Sequence, residues 1–343
     1  MTFLTDDTVG RLRDVAARPS LPPGRYTLGA PLGRGGMGTV YAARDELFGR
    51  DVAIKVSHAA RPDSGLEARL RREAGVLATL EHPGIVPVHD SGTLEDGRRF
   101  YVMKLVRGET LAEHAARLTS EAAILTVVER IVDTVAFAHA ARVVHRDLKP
   151  SNVMVGRFGE VLVLDWGVAK VVGQPPVVDT PPDHASVDTT GLEAVPADAT
   201  HADTRIGTPG YMSPEQADGR SARAGPAADV YSLGALIFWL LTRQIPPGPV
   251  EAATARLRAV APAVPKRLRA IVLRCLAPDP DRRYPDAAAL ADDLARYRAG
   301  QPVMAHRETW LDRLVHWLAT YRTAILLVLA YLVMRTLFAF ATR

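Results

Sequence analysis

At 343 residues the chain is longer than one ordinary hydrophobic core needs, and a hydrophobic content of 48% supplies material for more than one packed unit. Its 42 Lys and Arg against 38 Asp and Glu leave a formal charge of +4, of which residues 301–343 (five arginines, two acidic residues) carry +3; the remainder is nearly neutral, which argues against nucleic-acid binding. A single cysteine excludes an internal disulfide and any cysteine-based metal site, a composition suited to a reducing cytoplasm.

Residues 1–24 read as a leader that closes on Pro19-Ser20-Leu21-Pro22-Pro23-Gly24, a linker composition without the basic, apolar and small-residue pattern of a secretory signal. Next comes Gly33-Arg34-Gly35-Gly36-Met37-Gly38-Thr39-Val40, where missing side chains let backbone N–H groups approach phosphate oxygens. Such a run is a weak signal alone. Val52 to Val56 then reads as a strand with Lys55 at its centre, whereas a dinucleotide fold would pass from the glycines straight into a helix, so the lysine favours a triphosphate. Leu70, Ala74 and Leu77 recur at helical spacing with Glu73 on the same inward stripe. A carboxylate facing a core needs a cation; Arg69, Arg71 and Arg72 project differently, which leaves Lys55 as the better partner.

The stretch His145-Arg146-Asp147-Leu148-Lys149-Pro150-Ser151-Asn152 is followed by two short apolar runs and then Asp165-Trp166-Gly167. Val153 to Val155 and Val161 to Leu164 read as strands joined by a turn containing Gly156 and Gly159. Antiparallel pairing about that turn is expected to bring Asn152 level with Asp165 at the open end, two hard oxygen ligands of the kind magnesium shares with waters and phosphate. Asp147, five residues before Asn152, is placed to accept a proton from an attacking hydroxyl. His145 reads as a packed scaffold residue, since Asp147 already supplies a base.

Residues 174–204 hold five prolines, five threonines and six acidic residues with no lysine or arginine, and cannot build a core. Val230 to Leu241 is an apolar run of about twelve residues, too short to cross a bilayer and better read as a central buried helix. Cys275, after Ile271, Val272 and Leu273, reads as a buried inert thiol.

The tail raises a membrane expectation. Residues 301–322 include Trp310, Leu311, Leu314, Trp317, Leu318 and Tyr321, an amphipathic aromatic approach, and 323–341 reads as a spanning helix. Ten residues of Ala324 to Ala341 are Leu, Ile, Val or Phe, together about −3 to −6 kcal/mol on the insertion scale, against about +2.5 to +3.5 for Arg335, which can snorkel. Arg307, Arg313 and Arg322 precede the span and Arg343 follows it, an asymmetry that places the bulk of the chain in the cytoplasm. A soluble tail helix packing on a partner or on itself, in a cytoplasmic protein, is the alternative.

From about Tyr26 to about Tyr297 these motifs resemble the eukaryotic-like serine/threonine protein kinases of bacteria. The resemblance implies an α+β, two-lobed kinase fold, with a β-rich N-lobe over 25–103, a mainly helical C-lobe over 107–300 and a long activation segment over 165–215. It implies ATP with Mg2+, or Mn2+, as cofactors and protein Ser/Thr hydroxyls as acceptors, another copy of the chain among them. Gly33, Gly35, Gly36 and Gly38 would cover the phosphates, Lys55 would touch the α- and β-phosphates, and Glu73 would hold Lys55. Val40, Ala53 and Met103 would line the adenine pocket, and the backbone of Lys104 to Val106 would hydrogen-bond the base. Asp147 would be the catalytic base, Lys149 would steady the γ-phosphate, and Asn152 and Asp165 would hold the metal. Trp166 stands where phenylalanine is usual, another large aromatic wedge.

Further, by resemblance, Gly207-Thr208-Pro209-Gly210-Tyr211-Met212-Ser213-Pro214-Glu215 is a peptide-binding platform, with Ser213 in the usual place of alanine. Glu215 should pair with Arg283, and Asp229 should brace the catalytic loop. Thr189, Thr190, Thr200, Thr204 and Thr208 become candidates for autophosphorylation, Thr200 and Thr204 foremost, with Arg146 helping to receive the phosphate. Two other readings share these motifs: a catalytically silent scaffold of the same fold, and a small-molecule phosphotransferase, which would not need the Ser-Pro-Glu platform.

Overall fold

The computed structural model describes residues 19–21, 24–35, 38–58, 65–166, 170–171, 210–218, 224–248, 250–306 and 321–341. Strands β1 (Tyr26–Arg34), β2 (Gly38–Asp45), β3 (Arg50–Ser57), β4 (Val88–Thr93) and β5 (Arg99–Lys104) form an antiparallel sheet in the spatial order β1-β2-β3-β5-β4. Helix α1 (Gly65–Thr79) lies between β3 and β4 in the chain and packs against β3, β4 and β5.

Strand alternation decides what each face of this sheet carries. Val52, Ile54 and Val56 of β3 join Phe100 and Val102 of β5, with Tyr26, Ala43 and Leu94, in one small core. The residues between them, Ala53, Lys55, Tyr101 and Met103, therefore face the other way. There Tyr101 joins Leu70 and Leu77 of α1 in a larger core that continues into the second half of the molecule.

That half starts with β6 (Gly108–Thr110), the short α2 (Leu111–His114) and the long α3 (Glu121–Ala140). Thr110 and Glu113 form a reciprocal capping box on α2, and Ser120 caps α3 through the Ala123 N–H. Strands β7 (Val143–Val144), β8 (Val153–Gly156), β9 (Val161–Val163) and β10 (Lys170–Val171) follow, with β6-β8-β9 as one small sheet and β10-β7 as another. The helical remainder is α4 (Pro214–Ala217), α5 (Pro226–Thr242), α6 (Val250–Val260), α7 (Lys266–Cys275) and α8 (Ala287–Arg298).

The apolar run at Val230 to Leu241 lies inside α5, which begins earlier, with Pro226 at a position where its missing N–H costs nothing. Every residue from Ala228 to Phe238 is buried. α5 approaches α7 closely at Gly234, where a Cβ would sit 2.4 Å from the Cβ of Cys275. Burial pushes the Cys275 thiol far above its ordinary range, so it is inert. The packed body continues past α8: buried Asp293 accepts from Tyr284 Oη (2.6 Å) and from the backbone N–H groups of Met304 (2.6 Å) and Ala305 (3.0 Å).

At the C-terminal end, helix α9 covers Arg322–Ala341. Among the described residues, no helix is long and apolar enough to cross a membrane, so the spanning segment expected over 323–341 is not supported. Arg335 and Thr336 interrupt the apolar run, the weak point of that expectation. What α9 does present is a set of exposed large apolar side chains, including Leu326, Leu327, Val328, Leu329, Tyr331, Leu332 and Met334. The aromatic approach of Trp310 to Leu318 lies outside the described residues, as do Arg307, Arg313 and Arg343 and most of the leader.

Candidate active site

Lys55 sits on the inward face of β3, a strand whose neighbours β2 and β5 leave it no edge. Its Nζ lies 2.8 Å from both carboxylate oxygens of Glu73, which α1 presents from the same stripe as Leu70 and Leu77. Glu73 is 2% and Lys55 9% exposed, so this is a buried ion pair whose desolvation must be offset by further hydrogen bonds. Burial by itself would lower the Lys55 pKa, and the carboxylates of Glu73 and Asp165 more than offset this and raise it, so the ammonium stays charged. Asp165 is the second acceptor, its Oδ1 3.4 Å from Lys55 Nζ.

The glycine segment forms the β1–β2 hairpin. A Cβ at Gly33 would meet nothing within 4 Å and one at Gly35 only the Gly38 carbonyl at 3.9 Å, so the lack of side chains there leaves open space, as an approaching phosphate requires. Gly38 has another reason to be glycine: its Cβ would lie 2.3 Å from the Val56 carbonyl oxygen on β3. Gly36 lies outside the described residues. Val40 pairs in register with Lys55, and Ala53 with Met103, which brings these side chains together beneath the hairpin. The Lys104 N–H is already bonded to the Pro87 carbonyl (3.2 Å), so among the backbone groups from Lys104 to Val106 that donor is committed within the protein.

On the other side, β8 and β9 pair as an antiparallel hairpin with Val153 opposite Val163. Its turn uses Gly159 at φ 79°, with Gly156 bonding to Glu160. The register is one residue off the expected one: Leu164, not Asp165, stands opposite Asn152, its N–H 2.7 Å from the Asn152 carbonyl. Asp165 lies one residue further on and turns into the cleft in the left-handed conformation (φ 61°). Asn152 Nδ2 donates to the Asp147 carbonyl (2.8 Å) and to Asp147 Oδ2 (3.1 Å). That commits the amide nitrogen and leaves its oxygen as the group the side chain can offer a hard cation. Asn152 and Asp165 thus fit magnesium as two oxygen donors whose shell waters and phosphate would complete. Lys149 Nζ donates to Asp147 Oδ2 at 2.7 Å.

The loop carrying Asp147 is clamped from beneath. Asp229, at the start of α5 and fully buried, accepts from the backbone N–H groups of His145 and Arg146, both at 2.7 Å. Burial would raise its carboxyl; the His139 hydrogen bond, the neighbouring imidazoles and the Arg146 N–H hold it below the ordinary range instead. Arg146 is left-handed (φ 72°), a conformation that costs about 1–2 kcal/mol outside glycine. Bonds on both sides of it hold it there, since its carbonyl also accepts from Gln216 Nε2 at 2.9 Å.

A family model described as "Protein kinase domain" matches residues 26–294. The chain belongs to the protein kinase family. A probable serine/threonine-protein kinase of Streptomyces coelicolor is 38% identical over 82% of this chain and 41% of its own length. The serine/threonine-protein kinases PknB of Mycobacterium leprae (37% identical; 81% of this chain, 44% of the relative) and PrkC of Bacillus subtilis (33%; 79% and 40%) are also similar. The chain thus spans about two fifths of the length of these curated relatives.

Other kinase features assemble around this centre. Arg283 meets Glu215 as a bidentate pair, both contacts 2.8 Å, and spends its remaining donors on the carbonyls of Ala277, Ala227 and Pro278. His145 accepts from the Asp147 N–H at Nδ1 (3.2 Å) and so donates through Nε2 to the Leu164 carbonyl (2.9 Å), a scaffold arrangement with a fixed tautomer. Trp166 is 1% exposed, packed beside His145 at 4.7 Å between ring centroids and bonded through Nε1 to the Val163 carbonyl. Ser213 is buried and donates to Gln216 Oε1 at 2.9 Å. Thr189, Thr190, Thr200, Thr204 and Thr208 lie outside the described residues.

Two participants went unread in the sequence. Tyr101 Oη donates to Glu73 Oε1 at 2.9 Å; the available signal was its alternation with Met103 along β5, which puts it on the Lys55 face. His139, at the end of α3, bonds Asp229 Oδ2 through Nε2 at 2.9 Å. Its Nδ1 accepts the Ala287 N–H at 3.1 Å, so the ring is a strut from α8 through Asp229 to the loop that carries Asp147. No local pattern marks it, because its partners are about 90 and 150 residues away.

Proposed function

We propose that this chain is a serine/threonine protein kinase, which transfers the γ-phosphoryl group of ATP to Ser or Thr hydroxyls of proteins. The observation that carries the reading is a pair of bonded groups, Lys55 with Glu73 and Asp165, and Asp147 with Lys149 and Asn152, each held at 2.7 to 3.4 Å, with the Leu164 N–H on the Asn152 carbonyl tying the residue before Asp165 to the second group. Phosphoryl transfer asks for positioning and charge stabilisation more than for covalent chemistry, and this set supplies both. Lys55, held by Glu73, positions the α- and β-phosphates. The backbone at Gly33, Gly35, Gly36 and Gly38 covers the triphosphate, and Val40, Ala53 and Met103 line the adenine pocket, with the Lys104 carbonyl accepting a hydrogen bond from the base and the Val106 backbone bonding it as well. Asn152 and Asp165 hold Mg2+, or Mn2+, which when bound neutralises charge on the phosphates. Asp147 orients the acceptor hydroxyl and takes its proton, while Lys149 bridges from that carboxylate to the γ-phosphate.

The acceptor is a protein segment on the platform around Ser213-Pro214-Glu215, which the Glu215–Arg283 pair fixes to the C-lobe. The kinase also phosphorylates its own threonines between residues 171 and 208 in trans, a reading supported by the threonine-rich composition of residues 174–204, which hold no lysine or arginine, and by Arg146 beside Asp147. The exposed apolar side chains of α9 and the basic excess of residues 301–343 support attachment of the C-terminal end to a membrane, with the kinase lobes in the cytoplasm. The test is transfer of label from γ-labelled ATP to a generic protein acceptor, with Asp147→Asn as control. Labelled phosphoserine or phosphothreonine with wild type alone is the expected result. Label on no protein, the chain itself included, supports a silent scaffold or a small-molecule phosphotransferase. Mass spectrometry of the ATP-treated chain checks the threonines, and no phosphate between 171 and 208 would end the autophosphorylation reading.

A further inference from the structure

Among the described residues Glu73 receives three hydrogen bonds, two of them from Lys55. The third comes from Tyr101, the cross-strand partner of Lys55 on β5. We infer that Tyr101 is a positioning residue: its hydroxyl holds the Glu73 carboxylate against Lys55 before nucleotide arrives, so that the Lys55–Glu73 pair is set in the free protein. The inference rests on the nucleotide-positioning role proposed above for Lys55 and Glu73.

Lys55 has a choice of acceptors, Glu73 at 2.8 Å and Asp165 at 3.4 Å. If α1 shifts outward, Lys55 keeps a carboxylate in Asp165 while Glu73 is left buried without its cation, an arrangement that the lysine alone does not forbid. A donor fixed to the sheet changes this. β5 lies between β3 and β4, paired on both sides, and Tyr101 is 2% exposed, so its ring has little freedom. Its Oη reaches Glu73 Oε1, the oxygen that Lys55 also uses, and among the described residues that hydroxyl makes no other hydrogen bond. The dependence is therefore mutual: without Glu73 the buried hydroxyl loses its acceptor, and without Tyr101 the buried carboxylate loses a donor. Burial, with the Glu73 carboxylate adding to it, keeps the phenol protonated far beyond physiological pH, so it is a permanent donor. Among the described residues the charged groups facing Glu73 are Lys55 and Asp165, which attract and repel it respectively.

The test is Tyr101→Phe in the full chain, which removes one oxygen and keeps the packed ring. Steady-state kinetics are measured across ATP concentrations, and amide hydrogen exchange is followed in the nucleotide-free protein. Losing preorganisation lowers the binding-competent fraction, so KM for ATP rises by about tenfold while kcat at saturating ATP stays within about twofold. Exchange across residues 65–79 quickens, while α5, remote from the change, keeps its protection and shows that the variant is folded. Unchanged KM and unchanged exchange would overturn the inference, leaving the hydroxyl a packing group. A fall in kcat at unchanged KM would overturn it too, by assigning Tyr101 to the chemistry. Faster exchange in a protein whose wild type transfers no phosphate would uphold the positioning and sink the kinase reading instead, so the two failures are distinguishable.

Discussion

Lys55 joins the two halves of the site, since it is bonded to Glu73 of the first half and lies within reach of Asp165 of the second. Lys55→Met is expected to lower kcat/KM by about 10²- to 10³-fold with an unchanged circular dichroism spectrum, because it deletes a charge aimed at the phosphates. Arg283 is a different kind of residue: 2% exposed, with Nε and both terminal nitrogens engaged by Glu215 and three carbonyls. Lysine cannot reproduce that fork, so Arg283→Lys should cost about 2–4 kcal/mol in urea denaturation; a loss below about 0.5 kcal/mol would show that the pair is not structural. Acid should act through the same groups. Burial would raise Glu215, but the Arg283 hydrogen bonds outweigh it and hold the carboxyl low, as the donors around Asp229 do there. A carboxyl depressed in the folded state contributes stability above its unfolded value, near about 4, and that contribution is lost as pH falls through the folded value. The urea midpoint should thus hold steady from neutral pH to about 5 and drop below about 4; a midpoint that stays level into that acid range contradicts the argument.

Among the elements, β3, α1 and the β8–β9 hairpin were legible because short-range periodicity determines them. Val52, Ile54 and Val56 alternate with Lys55, and Glu73 falls on the stripe of Leu70 and Leu77, so each functional side chain could be assigned a direction before its partner was known. The hairpin register was missed by one residue because the midpoint between Asn152 and Asp165 does not say how the turn is closed; Gly159 and the Gly156–Glu160 bond decide that. Contacts between elements left no such trace. His139 reaches Asp229 and Ala287, and nothing within a turn of His139 announces either. Gly234 is a similar case: inside a helix it reads as a weak spot, yet it is where α5 meets Cys275 of α7. Gly234→Ala gains helix propensity but places a methyl 2.4 Å from the Cys275 Cβ, within backbone-borne atoms that cannot swing aside. A net loss of about 1–3 kcal/mol is expected by thermal denaturation, and a variant as stable as wild type would show that the two helices can part at no cost.

For the whole molecule, the two lobes and the tail make separable claims. α9 carries exposed apolar side chains that the rest of the described structure does not cover. If the tail holds the kinase to a membrane, the full-length chain sediments with membranes after lysis and ultracentrifugation, and removal of residues 307–343 releases it with its kinase activity retained. Full-length protein in the supernatant contradicts the attachment without touching the catalytic reading. The lobes make the central claim, that side chains from 55, 73, 147, 152 and 165 converge on one metal-bound nucleotide. Calorimetry of ATP binding with and without Mg2+, on wild type and on Asp165→Asn, tests it most directly. Mg2+ is expected to tighten ATP binding to wild type, and Asp165→Asn to lose most of that gain while keeping its metal-free affinity; a gain of the same size in both proteins would rule out metal-bound convergence at Asp165.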